Sequence, residues 1–132
     1  MTTPNDFELC KTEDQLNVRL TGSLKESRPV VLDLFADGCP LCTPLKARQA
    51  IAREWGGDVT LLRIRVDDAP ELAERYEIEL VPTVGLLLSD EEKSMRKFTD
   101  PSYSDGGNVI RWLRRQLGTR AVEDKAGRTT SA

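Results

Sequence analysis

The sequence predicts an α/β fold in which a central β-sheet is covered by helices on both faces. Apolar runs typical of buried strands alternate with segments whose apolar residues recur at helical spacing, in the order β-α-β-α-β followed by a further strand and helix. The chain has 132 residues, which is the size of one domain. We therefore predict a single domain over residues 1–118. Residues 119–132 are polar and lack apolar periodicity, which predicts a disordered tail.

The amino-terminal part predicts an edge strand followed by a helix. Phe7–Cys10 is a short, weakly apolar run. Thr12 and Gln15 have the spacing of a capping box, in which both side chains satisfy free backbone amides at a helix start. The leucines that follow at intervals of four place one apolar stripe on that helix; they are Leu16, Leu20 and Leu24.

The next two elements are a buried strand and a second helix. Val30–Ala36 is nearly all apolar, as expected for a strand covered on both faces, although Asp33 interrupts it. A helical stretch then extends to Trp55. We expect Gly56 or Gly57 to end this helix in a left-handed cap, a position that favours glycine.

The rest of the chain repeats the alternation of strands and helices. Its predicted elements are a strand at Val59–Val66, a helix at Glu71–Tyr76, a buried strand at Val81–Leu88, a turn at Ser89–Lys93, an edge strand at Met95–Thr99 and a helix from Val109 to Leu117.

The composition excludes several classes of function. The 19 Lys and Arg residues are outnumbered by 22 Asp and Glu residues, so no basic field favours nucleic acid or an anionic membrane, and we expect neither as a partner. Histidine is absent, which removes Ser-His-Asp and Cys-His catalysis and histidine-based zinc sites. No apolar run approaches the roughly 20 residues of a membrane-spanning helix. No secretory signal is visible at the amino terminus.

The three cysteines point to a reducing compartment. An odd, low count is a poor framework for a secreted disulfide scaffold, so we predict a cytoplasmic protein. Cys10 is interpreted as a small buried apolar residue rather than a regulatory thiol. Cys39 and Cys42 form a Cys-x-x-Cys motif.

The Cys-x-x-Cys motif predicts dithiol redox chemistry. Cys39 is expected at the start of a helix, where free amides and the helix dipole stabilise a thiolate. Cys42 is expected one helical turn further on, where it can displace a substrate captured by Cys39. A structural metal site is the alternative. It would have to bridge two subunits, because such sites take four ligands and this chain has three cysteines and no histidine. A redox-inactive relative of the same fold is a further alternative.

Two segments give the chain a family resemblance. Phe35–Cys42 after a buried strand, together with Val81–Thr83 before another, resembles thioredoxin-like proteins, and Asp33 falls where that family places a buried acid. The resemblance covers approximately Phe7–Leu117. It implies a thioredoxin-like fold with a central mixed sheet, and thiol–disulfide oxidoreductase activity on protein disulfides.

The resemblance also implies roles for individual residues. Cys39 would be the nucleophile and Cys42 the resolving thiol. Asp33 would relay a proton to or from Cys42, although its alternative is an acid that is partly exposed and paired with a cation. Arg63 matches a position usually filled by lysine near that acid, and its alternative is an outward-facing strand residue.

The loop of Val81, Pro82 and Thr83 resembles the family's substrate-binding loop. Pro82, if cis, would expose the backbone of Val81 for pairing with an extended substrate chain. No bound cofactor and no metal are expected. Electrons would come from a reductase or a low-molecular-weight thiol, and the protein is expected to be a monomer.

Three supporting residues depart from the family pattern. Gly38 replaces the tryptophan that usually precedes the first cysteine, and Pro40 and Leu41 replace Gly-Pro between the cysteines. A proline directly after the first cysteine is closer to glutaredoxins, so a glutathione-dependent oxidoreductase is one alternative function. A binding or chaperone module that uses the Val81–Pro82 surface without redox turnover is another.

Overall fold

Five strands form one mixed sheet. The structure is a computed structural model that describes residues 5–40, 42–88, 95–99 and 107–118. The strands lie in the order β1-β3-β2-β4-β5, with β1 and β2 parallel to β3, and with β4 antiparallel to β2 and β5. Their bounds are β1 Glu8–Leu9, β2 Val30–Phe35, β3 Thr60–Arg65, β4 Thr83–Leu87 and β5 Arg96–Phe98.

Four helices are described in addition to the strands. They are α1 Glu13–Lys25, α2 Leu45–Trp55, α3 Pro70–Arg75 and α4 Gly107–Leu113, which continues as a π-helical turn over Arg114–Gly118. The predicted elements are confirmed within one or two residues, apart from the start of α2. β4 begins after Pro82 because proline has no N–H to donate to a sheet ladder. The predicted turn at Ser89–Lys93 and the tail at 119–132 lie outside the described residues.

Alternating side chains of the strands build two separate cores. The core beneath α2 and α4 contains Val31 of β2 and Leu61 of β3. The core beneath α1 and α3 contains Leu32 and Leu62, their direct neighbours in sequence. Because successive side chains of a strand point to opposite faces, Asp33 and Arg63 lie on the same face as Val31 and Leu61, beneath α2. The prediction of helices on both faces is confirmed.

Side chains at the start of α1 accept hydrogen bonds from backbone amides of both α1 and α3. The Thr12 hydroxyl accepts a hydrogen bond from the Gln15 amide at 3.1 Å, and Gln15 Oε1 accepts one from the Lys11 amide at 2.7 Å. The predicted cap is therefore present, with Gln15 reaching the residue before Thr12. Glu13 accepts hydrogen bonds from the amides of Glu71 and Leu72, at 3.3 and 2.6 Å. It thus caps α3, which has no side-chain cap of its own.

The end of α2 differs from its prediction. Gly56 has a φ of −60°, and its amide bonds to the Ala52 carbonyl, so the helix ends in a right-handed conformation. The amides of Asp58 and Val59 both bond to the Trp55 carbonyl. These bonds satisfy the carbonyl without a left-handed glycine, and the expected left-handed cap is wrong.

Gly85 in β4 leaves room for one side chain of the core beneath α1. A Cβ atom built on Gly85 would overlap Met95 Sδ and lie 2.8 Å from Met95 Cγ. Met95 is buried, so it has little space to withdraw. We therefore expect Gly85→Ala to destabilise the protein by about 1 kcal/mol in chemical denaturation, because overpacking exceeds the gain from a less flexible unfolded chain.

The Met95→Ala variant provides the matched background for this measurement. In that background the overlap is absent, so adding Gly85→Ala should be neutral or slightly stabilising. Equal costs in the two backgrounds would show that Met95 is not what Gly85 accommodates.

Candidate active site

The site is assembled at the end of the sheet where β2 stops. Leu34 of β2 pairs with Thr83 of β4, so the end of β2 and the start of β4 meet at one edge. The chain leaves β2 through Asp37 and Gly38 and reaches Cys39, while Thr83 is the last residue of the Val81–Thr83 segment and the first of β4. The topology therefore places the two segments that carry the family resemblance at the same edge of the sheet.

Cys39 and Cys42 are joined by a disulfide bond. Their Cα atoms are 5.4 Å apart, and the Cys42 amide donates a hydrogen bond to the Cys39 carbonyl at 3.3 Å. Both side chains are half-buried. The spacing of the motif thus forms a closed turn whose two sulfurs are within bonding reach, as dithiol chemistry requires. Leu41, inside this turn, lies outside the described residues.

The helix begins later than the sequence predicted. α2 starts at Leu45, and Pro44 caps it with an extended ψ of 160°. Thr43, as the residue before a proline, is disfavoured in helical conformation, so the regular helix cannot extend back to Cys42. The expectation that Cys39 lies at the start of the helix is wrong, because the regular helix begins only at Leu45.

A groove runs beside the disulfide, and one of the residues that line it is a cation. Gly38 has a φ of +69°, which other residues rarely adopt, and a Cβ atom there would meet no neighbour within 4 Å. Arg63 is the cation on the groove wall. The lining residues are Phe35, Ala36, Asp37, Gly38, Cys39, Pro40, Cys42, Thr43, Pro44 and Arg63.

Asp33 lies buried beneath this groove. Its side chain is fully buried, and among the described residues it is the one charged side chain in the core. Its register partners are Arg63 on β3 and Val84 on β4. Arg63 Nε donates to Asp33 Oδ2 at 3.3 Å, whereas Oδ1 has no hydrogen-bond partner. The resemblance implied a buried Asp33 with Arg63 near it, and the structure places the two side chains together.

Burial controls the ionisation of Asp33. Desolvation raises the pKa of this carboxyl above its ordinary value, while Arg63, a hydrogen bond with Thr43 and the charge of Arg48 offset part of the rise. The result is a carboxyl group that takes up a proton more readily than an exposed aspartate. Such a group is suited to exchange a proton with a neighbouring thiol.

Arg63 is fixed by two further contacts. Its guanidinium carbon lies 4.0 Å from the centre of the Phe35 ring, a cation–π contact. Its backbone carbonyl accepts a hydrogen bond from the Cys10 amide at 2.8 Å. Cys10 itself is a buried free thiol whose pKa is raised by desolvation, as expected for a cysteine that serves in packing.

The segment of Val81, Pro82 and Thr83 forms a tight turn that leads into β4. The Val81–Pro82 peptide bond is cis, as the resemblance implied. Thr83 Oγ1 donates to the Leu80 carbonyl at 2.6 Å. Pro82 and Thr83 are buried and Val81 is half-buried, while the Leu80 side chain is 62% exposed. The residues that line the groove of the disulfide do not include this segment.

Two charged residues at the site were not predicted. Arg48 of α2 donates to Asp6 Oδ1 at 2.8 Å and to the Thr43 carbonyl at 2.9 Å. Asp6 and Arg48 are far apart in sequence, and no local pattern marks two isolated charges as partners.

Among the described residues, no group of three or more His, Cys, Asp or Glu side chains is arranged to hold a metal ion. No helix in the described part of the chain has the length and apolar character needed to cross a membrane.

Comparison with known proteins decides the family. The family model described as thioredoxin matches residues 10–106. The chain belongs to the thioredoxin family. With its disulfide-forming Cys39–Cys42 pair, this member of the family is a thiol–disulfide oxidoreductase and therefore an enzyme. Membership implies disulfide-containing proteins as substrates and a reductase as a partner.

Individual relatives agree with this assignment. A thioredoxin of Rickettsia bellii is 28% identical over 97 residues, covering 71% of this chain and 87% of the relative. A protein disulfide-isomerase A2 of Pongo abelii is 28% identical over 111 residues, covering 79% of this chain and 21% of that protein. The crystal structure of oxidised thioredoxin O2 from Arabidopsis thaliana superposes with a TM-score of 0.64 at 19% identity, covering 86% of this chain and 95% of that one. The predicted thioredoxin-like fold is confirmed.

Proposed function

We propose that this thioredoxin-family protein reduces disulfides of other proteins, with Cys39 as nucleophile and Cys42 as resolving thiol. The observation that carries the proposal is the bonded Cys39–Cys42 pair in an open groove at the sheet edge. The Cys39 thiolate attacks a substrate disulfide and forms a mixed disulfide, releasing one substrate thiolate. The Cys42 thiolate then attacks the Cys39 sulfur and releases the second. Two electrons pass to the substrate, and the Cys39–Cys42 disulfide remains.

Arg63 supplies the electrostatic activation that the helix start does not. It is the cation of the groove that holds both sulfurs, and a neighbouring cation favours a thiolate over a thiol. Its side chain is 18% exposed, so its charge is only partly screened by water.

Asp33 is proposed to accept the proton of Cys42. Thr43, the residue after Cys42, is hydrogen-bonded to Asp33, and Asp33 Oδ1 is buried without a partner. A carboxylate oxygen of this kind gains a hydrogen bond when it takes up a proton. Transfer from the Cys42 thiol therefore generates the resolving thiolate at the moment it is needed.

The segment of Val81, Pro82 and Thr83 is proposed to hold the substrate chain. Its start lies at the same sheet edge as the end of β2, since Leu34 pairs with Thr83. The backbone of Val81 would pair with an extended substrate segment, which tolerates varied sequences. The exposed Leu80 side chain adds an apolar contact beside it.

The electron donor is proposed to be a separate reductase or a low-molecular-weight thiol. The protein is proposed to act as a monomer in the cytoplasm, without nucleic acid or membrane as partner. The buried free thiol of Cys10 supports a reducing compartment, because free thiols persist there.

Reduction of insulin tests the proposed function. With a dithiol donor present, catalytic amounts of the protein should accelerate precipitation of the insulin B chain. With the donor withheld, one equivalent of reduced protein should lose two hydrogens by mass as insulin is reduced. The Cys10→Ala variant is the matched control and should be as active as the wild type. Turnover with glutathione mixed disulfides but not with insulin would favour the glutathione-dependent alternative instead.

A further inference from the structure

A chain of contacts connects the amino-terminal segment to the buried carboxylate. Asp6 accepts hydrogen bonds from Arg48 Nε at 2.8 Å and Nη2 at 3.3 Å. Arg48 Nη1 donates to the Thr43 carbonyl at 2.9 Å, and Thr43 is hydrogen-bonded to Asp33. The Arg48 side chain is 12% exposed and that of Asp6 is 32% exposed. These contacts connect three parts of the fold through Thr43, the residue that follows Cys42.

We propose that Arg48 is a positioning residue that, held in place by Asp6, fixes the Thr43 carbonyl behind Cys42 and places a second cation beside Asp33. The inference rests on the proposed role of Asp33 in the reaction.

Three hydrogen bonds fix the position of the Arg48 guanidinium. This group is forked, so it bonds both oxygens of Asp6 while a third nitrogen reaches the Thr43 carbonyl. Asp6 is fixed in turn by the Phe7 amide, which donates to Oδ1 at 2.6 Å. Phe7 is buried in the core beneath α2. The anchor of Arg48 is therefore attached to the core and not to a free terminus.

The charges around Asp33 define what Arg48 contributes. Arg63 faces Asp33 from β3 and Val84 faces it from β4. Thr43, just before α2, and Arg48 of α2 both favour the ionised form of Asp33 and so lower its pKa. Partial burial opposes ionisation of Asp6, yet Arg48 and the Phe7 amide hold the pKa of Asp6 below its ordinary value, and the charge of Arg63 adds to this effect. Asp6 therefore remains an anion, which partly neutralises Arg48.

The two partners of the ion pair have opposite effects on Asp33. In Arg48→Gln a cation is lost, so the pKa of Asp33 should rise. In Asp6→Asn the amide oxygen can still accept the hydrogen bond from Arg48 Nε, so Arg48 stays in place while an anion is lost. The pKa of Asp33 should therefore stay or fall. Arg48→Lys keeps the charge and should restore most of the wild-type value. A purely structural role would move both Arg48→Gln and Asp6→Asn in one direction.

The test is an NMR titration of the Asp33 carboxyl carbon in the full-length reduced protein. We expect its midpoint to rise by about 0.5 pH unit or more in Arg48→Gln, and not to rise in Asp6→Asn. Arg114→Gln is the matched control and should leave the midpoint unchanged. Arg114 forms an exposed ion pair with Glu54, which lies on α2 as Arg48 does. An unchanged midpoint in Arg48→Gln, or a rise in Asp6→Asn, overturns the inference. If Arg48→Gln does not fold, Asp6→Asn and Arg48→Lys decide it by the same criteria.

Activity measurements separate this inference from the proposed function. The pH profile of insulin reduction should move with the Asp33 midpoint in each variant. If the midpoint moves while the profile does not, the placement of Arg48 stands and the proposed role of Asp33 in proton transfer is wrong.

Discussion

Serine at Cys39 is expected to abolish insulin reduction, whereas serine at Cys42 should stop the enzyme one step later with its substrate attached. Without the Cys39 sulfur no mixed disulfide forms, and activity should fall by about three orders of magnitude or more. Without the Cys42 sulfur the mixed disulfide at Cys39 cannot be resolved.

Mass spectrometry distinguishes these two states. The Cys42→Ser variant should accumulate as a covalent adduct with a disulfide substrate, and a reductant should release the adduct. The Cys39→Ser variant should show no adduct. Adducts on Cys42 in Cys39→Ser, with none on Cys39 in Cys42→Ser, would reverse the two roles. A Cys39→Ser protein that retains full biological function would support the redox-independent binding module.

Asp33→Asn is expected to stabilise the protein at neutral pH by about 1–3 kcal/mol. The carboxyl is fully buried, one of its oxygens has no partner, and its pKa is raised mainly by desolvation. Ionising it in the folded state therefore costs free energy that an amide does not. Arg63, which loses its ion pair in the variant, lines the open groove and can be hydrated there.

The stabilisation by Asp33→Asn is expected to depend on pH, because the pKa of Asp33 is raised in the folded state. Because the folded-state pKa of Asp33 lies above the unfolded value, the folded state binds the proton more tightly. This contribution to stability is fully present below the unfolded pKa and is lost as pH rises through the folded pKa. The advantage of Asp33→Asn should therefore grow with pH across that range and become constant above it.

Chemical denaturation at a series of pH values measures this difference. Asp58→Asn is the matched control, since Asp58 is exposed, and its effect should stay within about 0.5 kcal/mol. A clear loss of stability in Asp33→Asn at pH 7 would mean that the ion pair with Arg63 outweighs desolvation. Slower insulin reduction by the more stable variant would show that stability is given up here for function.

The parts of the site that follow from strand periodicity were predictable. Asp33 interrupts an apolar run, and a polar residue there has to face one of the two cores. Arg63 sits among alternating apolar residues of the neighbouring strand, and the observed register places both on one face. Periodicity alone leaves open which face Arg63 takes, and the family resemblance is what placed it near Asp33.

The predicted start of α2 is wrong because the residue before a proline is disfavoured in helical conformation. Pro44 restricts Thr43 in this way and moves the helix start beyond both cysteines. The contacts of Asp6 with Arg48, and of Glu13 with the amides of Glu71 and Leu72, could not be predicted at all. They join residues far apart in sequence, and no periodicity connects such partners.

The hydrogen bonds of Glu13 make two distant helices interdependent. α3 has six residues, too few to persist alone in water, and its first amides are satisfied by a carboxylate that belongs to α1. Unwinding the first turn of α1 withdraws that carboxylate and leaves the α3 amides open to solvent exchange. The two helices thus form one cooperative unit, and the identity of position 13 is constrained by a helix to which it does not belong.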